Sequence, residues 1–405
     1  MDYLRFILEN RRFLGFGFLL AVLSGYGQTY LISLFGGQIR ETLNLSNGGF
    51  GGVYSTATLI SGFSLIWLGR LLDRVDLRVF SAAVLVGAAL GCLLMAGVNH
   101  VLVLGVALLL LRLCGQGLMM HTAQTTMARY FHERRGTAIS VATLGLPTGE
   151  AVFPAVVVAA IAVLGWRQTW LAMALLLLAV VLPLAMWLLR GHGRRQEAQE
   201  AVERERAAAG SDGDWSRRQM LRDPRFYGVL PAVLAPPFTM TALFIHQVPL
   251  ASEKGWPLAW LASSFLAFGS CHVLSLLVAG PLVDRAGGQR LLPVYLAPLA
   301  VALLVLIGVD ALWGAPLYLA CAGLSMGVGG TLLGALWVEL YGTRHLGAIR
   351  ALIQSFMVLS TALAPGVVGM LLDAGLAMTD VVAGLLAWVV AASLLAAVAV
   401  HAGRR

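Results

Sequence analysis

Apolar positions do not alternate with polar ones along this chain. They continue in runs of about 20 residues, the length that carries an α-helix across a bilayer. Twelve such runs are present, at 13–35, 48–68, 79–98, 101–127, 137–163, 166–190, 226–250, 258–283, 291–309, 313–341, 350–372 and 376–402, numbered here as spans 1 to 12. A transmembrane barrel would show shorter pieces alternating with period two, so the pattern predicts an all-α membrane protein with twelve transmembrane helices. A single long polar stretch, 191–225, interrupts the series. Arg194 to Arg206 mixes Arg and Glu at helical spacing, and Ala-Ala-Ala-Gly-Ser-Asp-Gly-Asp then ends the pattern. The expected organisation is a six-helix bundle over 1–190, a cytoplasmic linker over 191–225 and a second six-helix bundle over 226–405.

Composition agrees: 59% of residues are hydrophobic, only 12% are charged, and the mean hydropathy is +0.82. The net charge of +8 matters through its placement. If the N-terminus is cytoplasmic, all but four of the 28 Lys and Arg residues fall on that side, the exceptions being Arg40, Arg112, Arg167 and Lys254. That bias puts both termini inside and reads as topology in a cell inner (plasma) membrane, not as nucleic-acid binding. Cys92, Cys114, Cys271 and Cys321 all lie within apolar runs with no paired spacing, so neither disulfides nor a metal centre is expected. The first run is too long for a cleaved leader and reads as a retained span. Trp67, Trp166, Trp170, Trp187, Trp256, Trp260 and Trp313 fall near span ends, where an aromatic belt is expected.

Polar residues deep inside spans must face protein or a cavity, and they are the candidates for function. Span 1 carries Gly25-Tyr26-Gly27-Gln28-Thr29-Tyr30 near its middle, as cavity lining or as interhelical glue. Span 4 holds Arg112-Leu-Cys-Gly115-Gln116-Gly117, and span 5 holds Glu150, the one carboxylate near the middle of a span. Counting helical rise from the cytoplasmic end puts Glu150 roughly 20 Å and Arg112 roughly 24 Å up, at similar depth. They are expected to pair statically, or to share a substrate or a proton. Span 7 contains Pro236-Pro237, which should break the helix beside a site, followed by Thr241, His246 and Gln247. His246 in span 7, like His121 in span 4 and His272 in span 8, is more often a hydrogen-bonded packing residue than a proton carrier. Glu339, near the inner end of span 10, is expected to join the cytoplasmic charges.

A charged loop repeats once per half. Gly69-Arg-Leu-Leu-Asp73-Arg74 returns as Gly280-Pro-Leu-Val-Asp284-Arg285, offset by 211 residues. These loops resemble the loop between helices 2 and 3 of the major facilitator superfamily and its pseudo-repeat between helices 8 and 9. The resemblance implies the major facilitator fold, with two pseudo-symmetric six-helix bundles, and a conformational clasp made by Gly69, Asp73, Arg74, Gly280, Asp284 and Arg285. It puts Asp73 near the start of span 11 (around Gly347 to Arg350) and Asp284 near the start of span 5 (around Gly136). Gly145-Leu-Pro147-Thr-Gly149-Glu150 in span 5, Gly165-Trp166-Arg167 and the Arg112 stretch resemble the branch holding monocarboxylate and oxalate–formate carriers. The chain departs from that branch in spans 8 and 11, which offer His272 and Gln354 where those carriers rely on a cation.

The resulting expectation is a secondary active transporter that moves a small solute, an organic anion, by alternating access with proton coupling. The alternative is proton-driven efflux of lipophilic or cationic drugs, with Glu150 as the cation partner. Substrate-binding candidates are Tyr26, Gln28, Tyr30, Arg112, Gln116, Thr241 and His246, with Glu150 for proton coupling. No catalytic set such as HExxH occurs, so an enzyme is not expected, and no cofactor is implied. The expected partners are a small-molecule substrate, protons and the lipid bilayer, with the protein as a monomer.

Overall fold

The computed structural model describes residues 2–72, 75–131, 135–193, 217–341 and 346–402, and every regular element among them is helical. Ten of the twelve apolar runs are helices long and apolar enough to cross a membrane, from Asn47–Gly69 (span 2) to Met378–Val400 (span 12). Span 1 is a bent pair, Arg11–Gly27 and Thr29–Leu43, turning by 47° at the break. Span 9 is shortened to Ala297–Gly308, preceded by turns through Leu292–Leu296. The chain forms two compact units: Met1–Gln38 with Thr56–Gly210, and Ile39–Ser55 with Ser211–Arg405.

Span 7 corrects one expectation. Pro224–Ile245 runs as one helix through Pro231, Pro236 and Pro237. A proline at 236 removes the N–H that serves the carbonyl of Ala232, and inside a bilayer an unserved carbonyl is costly. The Tyr295 hydroxyl supplies the missing donor, at 2.6 Å from Ala232 O. The helix ends instead at His246, and Gln247–Glu253 follows.

The four cations off the basic side are each held by protein groups. Arg167 donates to Ala96 O and Val98 O at the C-terminus of span 3, both at 2.8 Å, with its guanidinium over the Trp166 ring. Lys254 pairs with Asp310 at 2.6 Å, and Arg40 donates to Asn47 Oδ1. Arg112 belongs to the site described below. Among the tryptophans, Trp67, Trp187, Trp260 and Trp313 are exposed, as a belt requires. Trp170 and Trp256 are not belt residues: both are buried, the first against Phe35 and the second donating Nε1–H to Asp310 O.

Carboxylates finish helix N-termini, where free N–H groups and the macrodipole favour negative charge. Asp373 accepts from Asn47 N and Gly48 N at the start of span 2, within the second unit. Asp76 caps span 3 through Arg78 N and meets His192 at 2.9 Å. Partial burial pushes the Asp76 carboxyl up, but His192 and the backbone N–H groups outweigh it and hold it below its ordinary value. Glu253 caps span 12, accepting from Met378 N, Thr379 N and the Thr379 hydroxyl. Burial again pushes this carboxyl up, and the Thr379 and Met378 donors with Lys254 bring it below the usual carboxylate range. A depressed folded-state pKa stabilises the fold above the unfolded pKa of about 4.3, and that contribution is lost as pH falls through the folded value. Glu253→Ala is therefore expected to cost about 1 kcal/mol at neutral pH. Thermal melts against pH should show the gap to wild type closing only in acid.

Candidate functional site

The site grows from a weakness in span 1. Gly25 and Gly27 are poor helix formers, and the Ser24 hydroxyl bonds back to Ala21 O at 2.7 Å, competing with the backbone. The α-helix gives way to a tight turn over Ser24–Gly27, and Gln28 is extended, with φ −79° and ψ 150°. Helix resumes at Thr29–Ile32. Breaking a helix frees backbone carbonyls that must find donors inside the membrane.

Arg112 supplies one. Its Nη1 donates to Gly27 O at 3.1 Å and its Nε to Thr58 Oγ1 of span 2 at 3.2 Å, with the residue 2% exposed. Span 4 is itself irregular here: Leu111–Met119 is wound as a π-helix between Val101–Leu110 and Met120–Tyr130. A π stretch inserts an extra residue per turn and re-aims the side chains that follow, which is why such segments recur at functional sites. The two irregular segments lie backbone to backbone. A Cβ at Gly115 would sit 2.8 Å from Gly27 N, and one at Gly27 would collide with Leu111 O and Gln116 N. Only glycine at both positions lets the π segment reach the break.

Span 5 approaches span 1 in the same manner. A Cβ on Gly149 would meet Val22 O at 2.9 Å. That approach leaves Glu150, 7% exposed, one residue beyond the contact with span 1. Tyr26 stands edge-on to Phe153 of the same span, ring centroids 5.5 Å apart. Tyr26 and Tyr30 are buried, while Gln28 and Gln116 are half-buried. Arg112 thus holds the broken piece of span 1 through the Gly27 carbonyl, and Glu150 follows the glycine that seats span 5 against the turn before the break.

In the second unit, Thr241 and His246 are buried at the C-terminal end of span 7. His246 Nε2–H donates to Pro365 O of span 11 at 3.3 Å, a bond that fixes the ring. His272 is buried with its ring edge-on to Phe268, and His121 Nε2 lies 3.2 Å from Gly69 O.

The predicted clasp is described only in part. Asp73 and Arg74 lie outside the described residues, as do the side chains of Asp284 and Arg350 and the surroundings of Gly136. Gly69 uses the close approach glycine allows, since a Cβ there would meet His121 Nε2 at 3.3 Å. Gly280 does not: a Cβ there would find open space. Arg285 is exposed in the last turn of Leu258–Ala286. Glu339 takes a more definite place than a general charge network. It accepts from Gly288 N at 2.6 Å and Gln289 N at 3.1 Å, holding the loop after span 8 to span 10.

Sequence reasoning missed Thr58, Asp373 and Glu253. Thr58 is an ordinary small polar residue in a Gly- and Ser-rich span, and nothing in its neighbours marks it as the partner of Arg112. The two acids sit at span ends, but the helix starts they cap lie more than 120 residues away, so sequence proximity does not reveal the pairing.

The comparisons with known proteins fit this picture. Residues 17–365 match the family model described as Major Facilitator Superfamily. No curated protein matches the sequence. Among solved structures, a bacterial homolog of the human lysosomal transporter Spinster, in an inward-facing and unoccupied conformation, is similar with a TM-score of 0.66 at 13% identity, over 97% of this chain and 95% of that one. The same description in an occupied conformation gives a TM-score of 0.65 at 13% identity, over 99% and 96%. At this identity the likeness is one of fold.

Proposed function

The chain belongs to the major facilitator superfamily, whose members are secondary transporters working by alternating access, and on that premise we propose that it carries a small organic anion coupled to protons. The observation that carries this reading is the buried guanidinium of Arg112 at the break of span 1, hydrogen-bonded to Gly27 O and Thr58 Oγ1. A permanently charged group placed this deep is costly unless it has work to do, and a carboxylate or phosphate cargo is its natural complement. Tyr26, Gln28, Tyr30 and Gln116 contribute hydrogen-bonding groups in the first unit, and Thr241 and His246 are the substrate-binding candidates of the second. The span 5 pattern supports a likeness to the monocarboxylate and oxalate–formate branch. The charge distribution supports an inner-membrane orientation with both termini cytoplasmic, and the protein acts as a monomer. The Gly69 and Gly280 loops, with Asp73, Arg74, Asp284 and Arg285, act as the cytoplasmic clasp.

Glu150 is assigned to proton coupling, because it is a carboxylate only 7% exposed within span 5, next to the glycine that seats this span against span 1. The test uses purified protein in proteoliposomes, loaded with radiolabelled organic acids, with and without an inward proton gradient. The expected result is gradient-driven anion accumulation by wild type. Glu150→Gln should keep substrate exchange across the membrane but lose at least tenfold of the gradient-driven accumulation, roughly the value of one coupling step. Transport of lipophilic amines instead, with organic acids ignored, would favour the efflux reading and overturn this one.

A further inference from the structure

Apart from the candidate transport site, the structure holds a basic cavity. We propose that it binds the headgroup of an anionic phospholipid, a membrane lipid with a net negative phosphodiester. The cavity, about 380 Å³, lies between the turn joining the N-terminal helix Asp2–Glu9 to span 1 and the turn that ends span 6. Its polar lining is Arg11, Arg12, Arg190, Glu9 and Asn10.

Charge is the first argument. Three guanidiniums face one space, and the single acid among the described residues that line it, Glu9, is engaged by Arg5 at 2.8 Å. The side chains of Arg11 and Arg190 are exposed, and neither has a hydrogen bond or ion pair to a described residue. Arg12 is fixed: it donates to Trp187 O at 2.6 Å and lies 4.9 Å over the Trp187 ring. Guanidiniums set like this match phosphate oxygens, and one of them is already held in position.

Location is the second argument. Trp187 is 47% exposed, and the face of span 6 that it continues, through Val180 and Leu184, is apolar and exposed, as a lipid-facing surface is. An exposed Trp at the end of such a face marks the depth of the headgroups. Leu8 lines the same cavity and is largely exposed, on an amphipathic helix suited to lying in the interface. A molecule with a phosphate in the cavity and hydrocarbon along span 6 satisfies both surfaces. An inorganic phosphate satisfies only the first, and the space, enough for about a dozen waters, is larger than it needs. The site also lies on the side where the basic residues collect, which is where anionic lipid attracts juxtamembrane Arg.

The test compares thermal stability of the detergent-purified full chain with added phosphatidylglycerol, phosphatidylcholine or inorganic phosphate, together with native mass spectrometry for retained lipid. The double variant Arg11→Gln, Arg190→Gln leaves the Arg12–Trp187 contact in place. Wild type is expected to gain stability from phosphatidylglycerol alone. The double variant should melt like wild type in phosphatidylcholine and need roughly thirtyfold more phosphatidylglycerol for the same gain. An equal gain in the double variant, or an equal gain of wild type from phosphatidylcholine, overturns the proposal. A gain from inorganic phosphate matching that from the lipid overturns it in favour of a soluble anion. If the double variant melts lower in every condition, Arg190→Lys is substituted, and failure of that charge-retaining variant to keep the lipid gain counts against the proposal too.

Discussion

Arg112→Gln is expected to abolish transport and to lower thermal stability, and Arg112→Lys is expected to restore the second more than the first. Glutamine removes the charge and leaves the Gly27 carbonyl and the Thr58 hydroxyl without their donor. Each hydrogen bond to a charged group is worth about 1.5–3 kcal/mol, so losing two costs on the order of 3 kcal/mol after relaxation. The same quantity expressed in cargo affinity is roughly a hundredfold. Lysine keeps the charge but presents one compact ammonium in place of a fork, and it cannot serve two oxygens set apart by span 1 and span 2. Uptake into proteoliposomes and ligand-dependent melting separate the outcomes. If the glutamine variant melts low yet still binds and carries organic acid at wild-type affinity, the guanidinium is a structural clip and the anion assignment fails.

The spans were readable from sequence because burial in a bilayer imposes one simple rule, continuous apolarity, on every helix. The rule sees length and polarity but not backbone winding. Leu111–Met119 has the same composition whether wound as α or π, so the re-aiming of Arg112 left no trace in the pattern. The prolines of span 7 misled for a related reason. A proline signals that a carbonyl loses its donor, but not whether a neighbour will replace it, and here Tyr295 does, from more than 60 residues away. Arg112, Glu150, Tyr26 and Tyr30 stood out as polar residues at forbidden depth. Their convergence on the break of span 1 depends on Gly27, Gly115 and Gly149 admitting neighbours to the backbone, a property of packing and not of any one segment. Trp170 shows the converse: near a predicted interface by position, it is buried in the core of its unit.

Gly27→Ala is the sharpest test of that packing. A methyl group at this position is directed at the carbonyl of Leu111 and the amide of Gln116, both backbone atoms of the π segment. A side chain would rotate away; backbone held in a helix cannot. Overpacking of this kind costs about 1–3 kcal/mol when side chains can adjust, and a clash with backbone on both sides puts this case at the upper end or above. The physical response is for span 1 to withdraw from span 4, which takes the Gly27 carbonyl away from Arg112. Gly27→Ala should therefore lose transport even where the protein still folds, and Gly115→Ala should do the same from the other side, since its methyl group is directed at Gly27 N and Cα. Gly280→Ala is the control for stability, because the added carbon there meets nothing within 4 Å. The expected order of melting temperature in detergent is Gly280→Ala equal to wild type, with Gly27→Ala and Gly115→Ala well below it. A Gly27→Ala protein that melts and transports like wild type would mean that span 1 is free to move off span 4, and that the close seating of the two irregular segments does not frame the site.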